Sequence, residues 1–278
     1  MTMDKKNILM LSVCLWYLGN TLSAVIILVH GAFAKNALWY RPGGDFYEAL
    51  KKRAADPLQR IISFRWSGKP FEKDIVRAAQ QLALFIATYP KFHDTENIIL
   101  IGHSHGGNVI LKASQLLENP YSNYGVNDAS SDHTSMIFTA RLRTFMNSST
   151  LISRAFLLGT PINEKLFKPS MNTIKELCLL YSKSDFVQPV GGLYARTLSY
   201  HPRHANIKIW INGSGPDHSD MHHPLIGSWI LSIPEGLKNT NASGFDLFSW
   251  GVDGGINFCD NQLPEYFFTK DFDGITDS

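Results

Sequence analysis

The sequence predicts an α/β protein: a mainly parallel sheet of about six strands with helices on both faces. Three observations predict it. Short unbroken apolar runs such as Val25-Ile-Ile-Leu-Val29 recur along the chain, as strands buried on both faces require. Stretches with helical periodicity lie between them. One junction, Ile98-Ile-Leu-Ile-Gly102-His103-Ser104-His105-Gly106-Gly107-Asn108, places Gly-x-Ser-x-Gly between a strand and a helix.

Taken in order, Val25 to Val29 is the first strand, ending at His30-Gly31. A polar loop containing Trp39-Tyr40-Arg41-Pro42-Gly43-Gly44 follows, and Phe46 to Lys52 forms a short helix. Arg60 to Trp66 is the second strand, stopped by Ser67-Gly68-Lys69-Pro70. Phe71 to Tyr89 is helical, because Ile75, Ala78, Ala79, Leu82, Phe85 and Ile86 share one face. Asn97 to Ile101 is the third strand and His105 to Glu118 the helix behind Ser104. Residues 119–150 break the rhythm with loop-forming segments and an apolar patch at Met136-Ile-Phe138; they read as a lid insertion or as a surface loop. Ala155 to Leu158 is a strand that turns at Gly159-Thr160-Pro161. Leu177 to Tyr181 and Asn206 to Ile211 are the fifth and sixth strands, and Pro224 to Ile233 the closing helix. The tail, 234–278, has little periodicity and is expected to be irregular.

With 278 residues, 44% of them hydrophobic and 18% charged, the chain suits one domain over 25–278 with a substantial core. A net charge of +2 with scattered basic residues excludes a phosphate-tracking surface, so no nucleic acid is expected. Residues 1–24 differ from the rest. Lys5 and Lys6 precede an apolar stretch from Ile8 to Leu18 and the small residues Thr21-Leu22-Ser23-Ala24, the three parts of a secretory signal. Cleavage after Ala24 and a secreted or periplasmic protein are expected; an uncleaved membrane anchor and a buried first helix are the alternatives. Cleavage would leave Cys178 and Cys259. Cys178 lies in a strand pattern, which favours a free buried thiol over a bridge. Asn147, Asn212 and Asn241 each begin an Asn-x-Ser glycosylation pattern.

The chemistry starts at Ser104. A serine on a sharp strand-to-helix turn stands clear of the fold, and the free N–H groups of the following helix face the space above it. The hydroxyl needs a base, and the base needs an orienting group. In an open parallel sheet these gather past the carboxyl ends of the strands. Asp185 stands about four residues beyond the fifth strand. His218 stands about seven beyond the sixth, on a Gly/Pro loop; His222 is the alternative base, and both His222 and His223 also read as caps or surface residues. An oxyanion site would use the N–H of His105 and that of Ala32, or of Phe33, after the Gly31 turn. His30 is expected to tie that loop by hydrogen bonds.

These pieces resemble the α/β-hydrolase superfamily in its lipase- and esterase-like branch. The likeness covers roughly 25–233, through Val29-His30-Gly31, the Gly-His-Ser-His-Gly-Gly-Asn elbow, Gly159-Thr160-Pro161, Asp185 and His218. Trp66-Ser67-Gly68 and Arg77 resemble a subgroup with the same elbow. The resemblance implies a three-layer α/β-hydrolase fold with Ser104 as nucleophile, His218 as base and Asp185 as its partner. The short stretch before the first strand implies that the two N-terminal antiparallel strands of larger members are missing. The expected activity is cleavage of a small-molecule or lipid ester, with transient contact with a membrane surface and without cofactor or metal. Three alternatives stand beside it. The same triad serves an acyltransferase, and a catalytically inactive relative would be a binding protein. The numerous histidines, His103-Ser104-His105 among them, would suit a metal-dependent hydrolase.

Overall fold

A computed structural model describes residues 24–54, 59–88, 97–119, 152–187 and 194–233, together with two strands of the tail. The expected signal segment, 1–24, apart from Ala24, the candidate lid, 119–150, apart from Asn119, and Cys259 lie outside the described residues.

The first strand explains the rest of the sheet. In β1 (Val25–Val29) every residue is buried. Ile27 joins one hydrophobic cluster, while Ile26 and Leu28 join the other. A strand covered on both faces cannot afford a polar alternation, which is why its sequence is a continuous apolar run. β1 pairs in parallel with β2 (Arg60–Phe64) on one side and with β3 (Ile98–His103) on the other. The sheet then continues in parallel through β4 (Ile152–Leu158), β5 (Ile174–Tyr181) and β6 (His204–Ile211). Its order is β2-β1-β3-β4-β5-β6-β7-β8.

Helices cover both faces. α1 (Asp45–Arg53) and α4 (Pro224–Trp229) lie on one, adding Phe46, Leu50, Ile226 and Trp229 to the cluster that holds Ile26 and Leu28. On the other, α2 (Glu72–Thr88) and α3 (His105–Glu118) pack together over Ile27, Leu100 and Leu157. α2 buries Ile75, Ala78, Ala79, Leu82, Ala83 and Ile86, the spacing its periodicity predicts. Each large aliphatic side chain removed from water this way contributes about 1.5–3 kcal/mol.

Several boundaries differ from the sequence reading. β4 and β5 start earlier, at Ile152 and Ile174, because the polar residues near their starts are paired: Arg154 lies opposite Glu176 in the register and forms an ion pair at 3.2 Å. β2 stops at Phe64, because Trp66 leaves the strand to bond with His30. The tail, expected to be irregular, instead supplies β7 (Gly244–Phe248), parallel to β6, and β8 (Gly255–Phe258), antiparallel to β7. Their alternation, Phe-Asp-Leu and Ile-Asn-Phe, runs for only three residues each, too few to stand out among glycines and aspartates.

The chain order reverses between β1 and β3: β2 returns to one side of β1 and β3 goes to the other. Crevices outside the strand carboxyl ends at such a switch are where open α/β sheets build sites. The register pairs Val29 with Gly102, so His30-Gly31 emerges beside His103-Ser104.

Candidate active site

Ser104 occupies the turn between β3 and α3 with φ 53° and ψ −132°. A non-glycine residue with positive φ is strained and persists only where its surroundings over-determine it. Here Ser104 N–H donates to Leu158 O on β4 at 2.9 Å, and Ser104 O accepts from Gly107 N at 2.9 Å. The turn also needs Gly106: a Cβ there would sit 2.3 Å from Val29 O.

The structure brings Asp185 and His218 together. Asp185, in the loop after β5, is fully buried and has Oδ2 2.9 Å from His218 Nδ1. Its other oxygen, Oδ1, accepts from Val187 N at 2.9 Å, and its backbone O accepts from Arg196 Nη2 at 3.0 Å. The carboxylate therefore has a fixed orientation and points Oδ2 at the imidazole. The loop after β4 closes against this pair at Gly159, where a Cβ would be 2.9 Å from Asp185 Oδ2 and 3.4 Å from His218 Nδ1. Sequence reading treats Gly159 only as a turn; its φ of +55° and these contacts make it part of the site's wall.

His218 is bracketed by the two neighbours of Ser104. Its ring centroid is 4.8 Å from that of His103. Burial holds His105 below the usual imidazole value, and the neighbouring His218 ring adds a smaller effect in the same direction. Among the described residues Ser104 Oγ makes no hydrogen bond. Catalytic hydrogen bonds are often long in ligand-free sites and tighten around the substrate.

His222, the alternative base, packs on the other side chains around His103. It stacks on Trp39 with centroids 5.1 Å apart and planes 4° apart, and meets His103 edge-on at 4.9 Å. His223 Nδ1 accepts from Leu225 N at 3.2 Å and caps α4. His103 and His105 diverge: the first faces His218 and His222, the second accepts from Asn108 Nδ2 at 3.2 Å and lies near Tyr194. Asn108 Nδ2 also donates to Pro161 O at 3.1 Å, tying α3 to the loop after β4. Among the described residues no three His, Cys, Asp or Glu side chains group as a metal ion would need.

The oxyanion candidates also lie beside Ser104. Phe33 N–H is committed to Gly68 O at 2.8 Å, whereas among the described residues the N–H groups of Ala32 and His105 have no partner. His30 holds this loop in place. Trp66 N–H donates to His30 Nε2 at 3.2 Å, so His30 Nδ1 carries the proton and donates to Gly31 O at 2.8 Å. The indole Nε1 of Trp66 donates to His30 O at 2.7 Å. Burial holds the His30 imidazole below its usual value, which keeps it in this neutral tautomer.

No protein-family model and no curated protein matches the chain. Solved structures similar to it include lipase B of Aspergillus fumigatus, at 11% identity and a TM-score of 0.43, over 79% of this chain and 55% of that one. An esterase of Pyrococcus furiosus is similar at 15% identity and a TM-score of 0.42, over 77% of this chain and 80% of its own. A predicted CIB-like hydrolase of Thermoplasma acidophilum is similar at 14% identity and a TM-score of 0.39, over 76% and 86%. The chain itself has the α/β-hydrolase fold: among the described residues, parallel strands in the order β2-β1-β3-β4-β5-β6-β7, with a strained serine turn after β3.

Proposed function

We propose that the protein is a serine hydrolase that cleaves carboxylic esters through an acyl-enzyme intermediate. One observation carries this reading. A strained serine after β3 and a buried Asp185–His218 pair after β5 and β6 share one end of the sheet. Ser104 Oγ attacks the ester carbonyl while His218 Nε2 takes its proton. Asp185 holds the other ring nitrogen and stabilises the imidazolium. The N–H groups of Ala32 and His105 receive the oxyanion. His218 then returns the proton to the leaving alcohol, and water, activated by the same base, releases the acid.

A lipid-like acyl group fits the mouth of the site. Phe33 and Phe186 are 86% and 79% exposed, on the loops after β1 and β5, and Val187 adds to the second. Such residues on the edge that carries Ser104 would meet an acyl chain or the surface that supplies it. Secretion, proposed from residues 1–24, would put the enzyme where such substrates are extracellular. The test is fluorophosphonate labelling with a panel of p-nitrophenyl esters graded by acyl length. Labelling and turnover are expected in the wild type and lost in Ser104→Ala. Labelling that survives the substitution overturns the reading.

A further inference from the structure

His103 is the residue immediately before the nucleophile, and it is buried, 6% exposed. Its Nε2 lies 2.8 Å from the backbone carbonyl oxygen of His218. A carbonyl only accepts, so Nε2 carries the proton. Burial, with the nearby His222 and His218, holds the ring well below the ordinary imidazole value, so it is neutral and its Nδ1 is a bare acceptor. Among the described residues that Nδ1 has no partner.

A buried acceptor without a donor costs free energy that a phenylalanine of similar shape would avoid. The imidazole is therefore retained for what Nε2–H does. Its target is the base. The loop from β6 to His218 is held near its start by Ile211 and Ser214, which exchange two backbone bonds at 2.8 and 3.1 Å. Beyond His218, the Asp217 carboxylate accepts from Ser219 N and Asp220 N at 2.7 and 2.9 Å. His218 itself is anchored at two points on the rest of the fold: its ring by Asp185 and its carbonyl by His103. Asp185 sets which way the ring faces. His103, one peptide bond from Ser104, ties the backbone under the ring directly to the nucleophile's own turn.

Resting on the serine-hydrolase reading above, we propose that His103 is a positioning residue whose Nε2–H, gripping the His218 carbonyl, fixes the distance between the base and the Ser104 hydroxyl. It touches no reacting atom. Removing it lets the His218 loop relax away from the elbow while the Asp185 contact persists, so the chemical step slows and ester binding does not.

Glutamine and asparagine separate this role from packing. A glutamine amide nitrogen can reach the Nε2 position, whereas that of asparagine reaches only the Nδ1 position. The experiment measures kcat and KM on p-nitrophenyl butyrate, the rate of fluorophosphonate labelling and the thermal midpoint. It compares wild type, Ser104→Ala, His103→Gln, His103→Asn and His103→Phe. His103→Asn and His103→Phe are expected to lose at least about tenfold in kcat and in labelling rate, with KM within about threefold of wild type. His103→Gln is expected to stay within about threefold of wild type in kcat. Wild-type kcat in His103→Asn, or equal losses in the Gln and Asn variants, overturns the inference alone. Should His103→Phe not fold, the Gln–Asn comparison decides. Absence of Ser104-dependent turnover in the wild type overturns the functional reading itself, and the proposal with it.

Discussion

Gly31 and Ser104 approach so closely that a Cβ on Gly31 would lie 2.7 Å from Ser104 Cβ and 3.0 Å from the carbonyl oxygen of His103. Neither atom is the end of a flexible side chain, so an alanine at 31 must push the loop away. Gly31→Ala is expected to lower kcat about 10²-fold, the scale of a misplacement near 1 Å, by displacing the Ala32 N–H. Steady-state kinetics on a short ester, beside a thermal melt showing a folded variant, checks this. Unchanged kcat would remove Ala32 from the oxyanion site.

Asp185→Asn keeps the shape of the carboxylate but offers an amide where His218 Nδ1–H needs an acceptor. The imidazole then takes the wrong tautomer or orientation, and kcat is expected to fall by about 10⁴. Single-turnover acylation would show the loss in the chemical step. A fall of less than tenfold would mean that another group orients His218.

Trp66→Phe removes the indole donor to the buried His30 carbonyl, 2.7 Å away. An orphaned buried acceptor costs about 1–3 kcal/mol, so the urea midpoint should drop accordingly. Activity should fall as well, because His30 holds the loop that carries Ala32. A variant as stable as the wild type would show that the carbonyl finds a new partner.

Burial depresses the imidazoles of His103, His30 and His222, with neighbouring positive groups adding smaller effects. Their folded values lie below the ordinary 6.5 of the unfolded chain. Below 6.5 the unfolded chain therefore binds protons that the folded chain refuses. The stability these groups contribute is complete above that value and declines as pH falls through the window beneath it. Urea midpoints measured from pH 8 down to pH 5 should decrease. A flat profile would contradict the neutral tautomers assigned to His30 and His103.

Cys178 is free and buried in β5, and burial pushes its thiol up to about 11. At pH 8 only about one in a thousand such thiols is ionised. Iodoacetamide should leave it unmodified in the native protein and label it in urea, as peptide mass mapping would show.

Much of the fold and of the site was legible in the sequence, for identifiable reasons. β1 and β3 are buried on both faces and so are apolar throughout, and the serine turn declares itself by its glycines. Asp185 and His218 stand just beyond strands, where a sequence reading looks for reactive groups. Hidden features depend on partners far along the chain. Arg154 and Glu176 extend two strands only because they pair across a register that no local pattern reveals. Gly159 reads as a turn until the Asp185–His218 pair is seen against it. The roles of His103 and His222 are invisible for a related reason: both are fixed by rings far along the chain, His222 and His218 for the first, Trp39 and His103 for the second.

The spread of these groups has a kinetic corollary. Gly31, Ser104, Asp185 and His218 are supplied by four separate stretches, and β1, the earliest strand in the chain, lies between two later ones. No fragment short of β6 can assemble the constellation. Regain of ester turnover after dilution from urea should thus lag behind recovery of helical signal and keep pace with docking of the last parallel strands, which makes activity a clock for completion of the native topology.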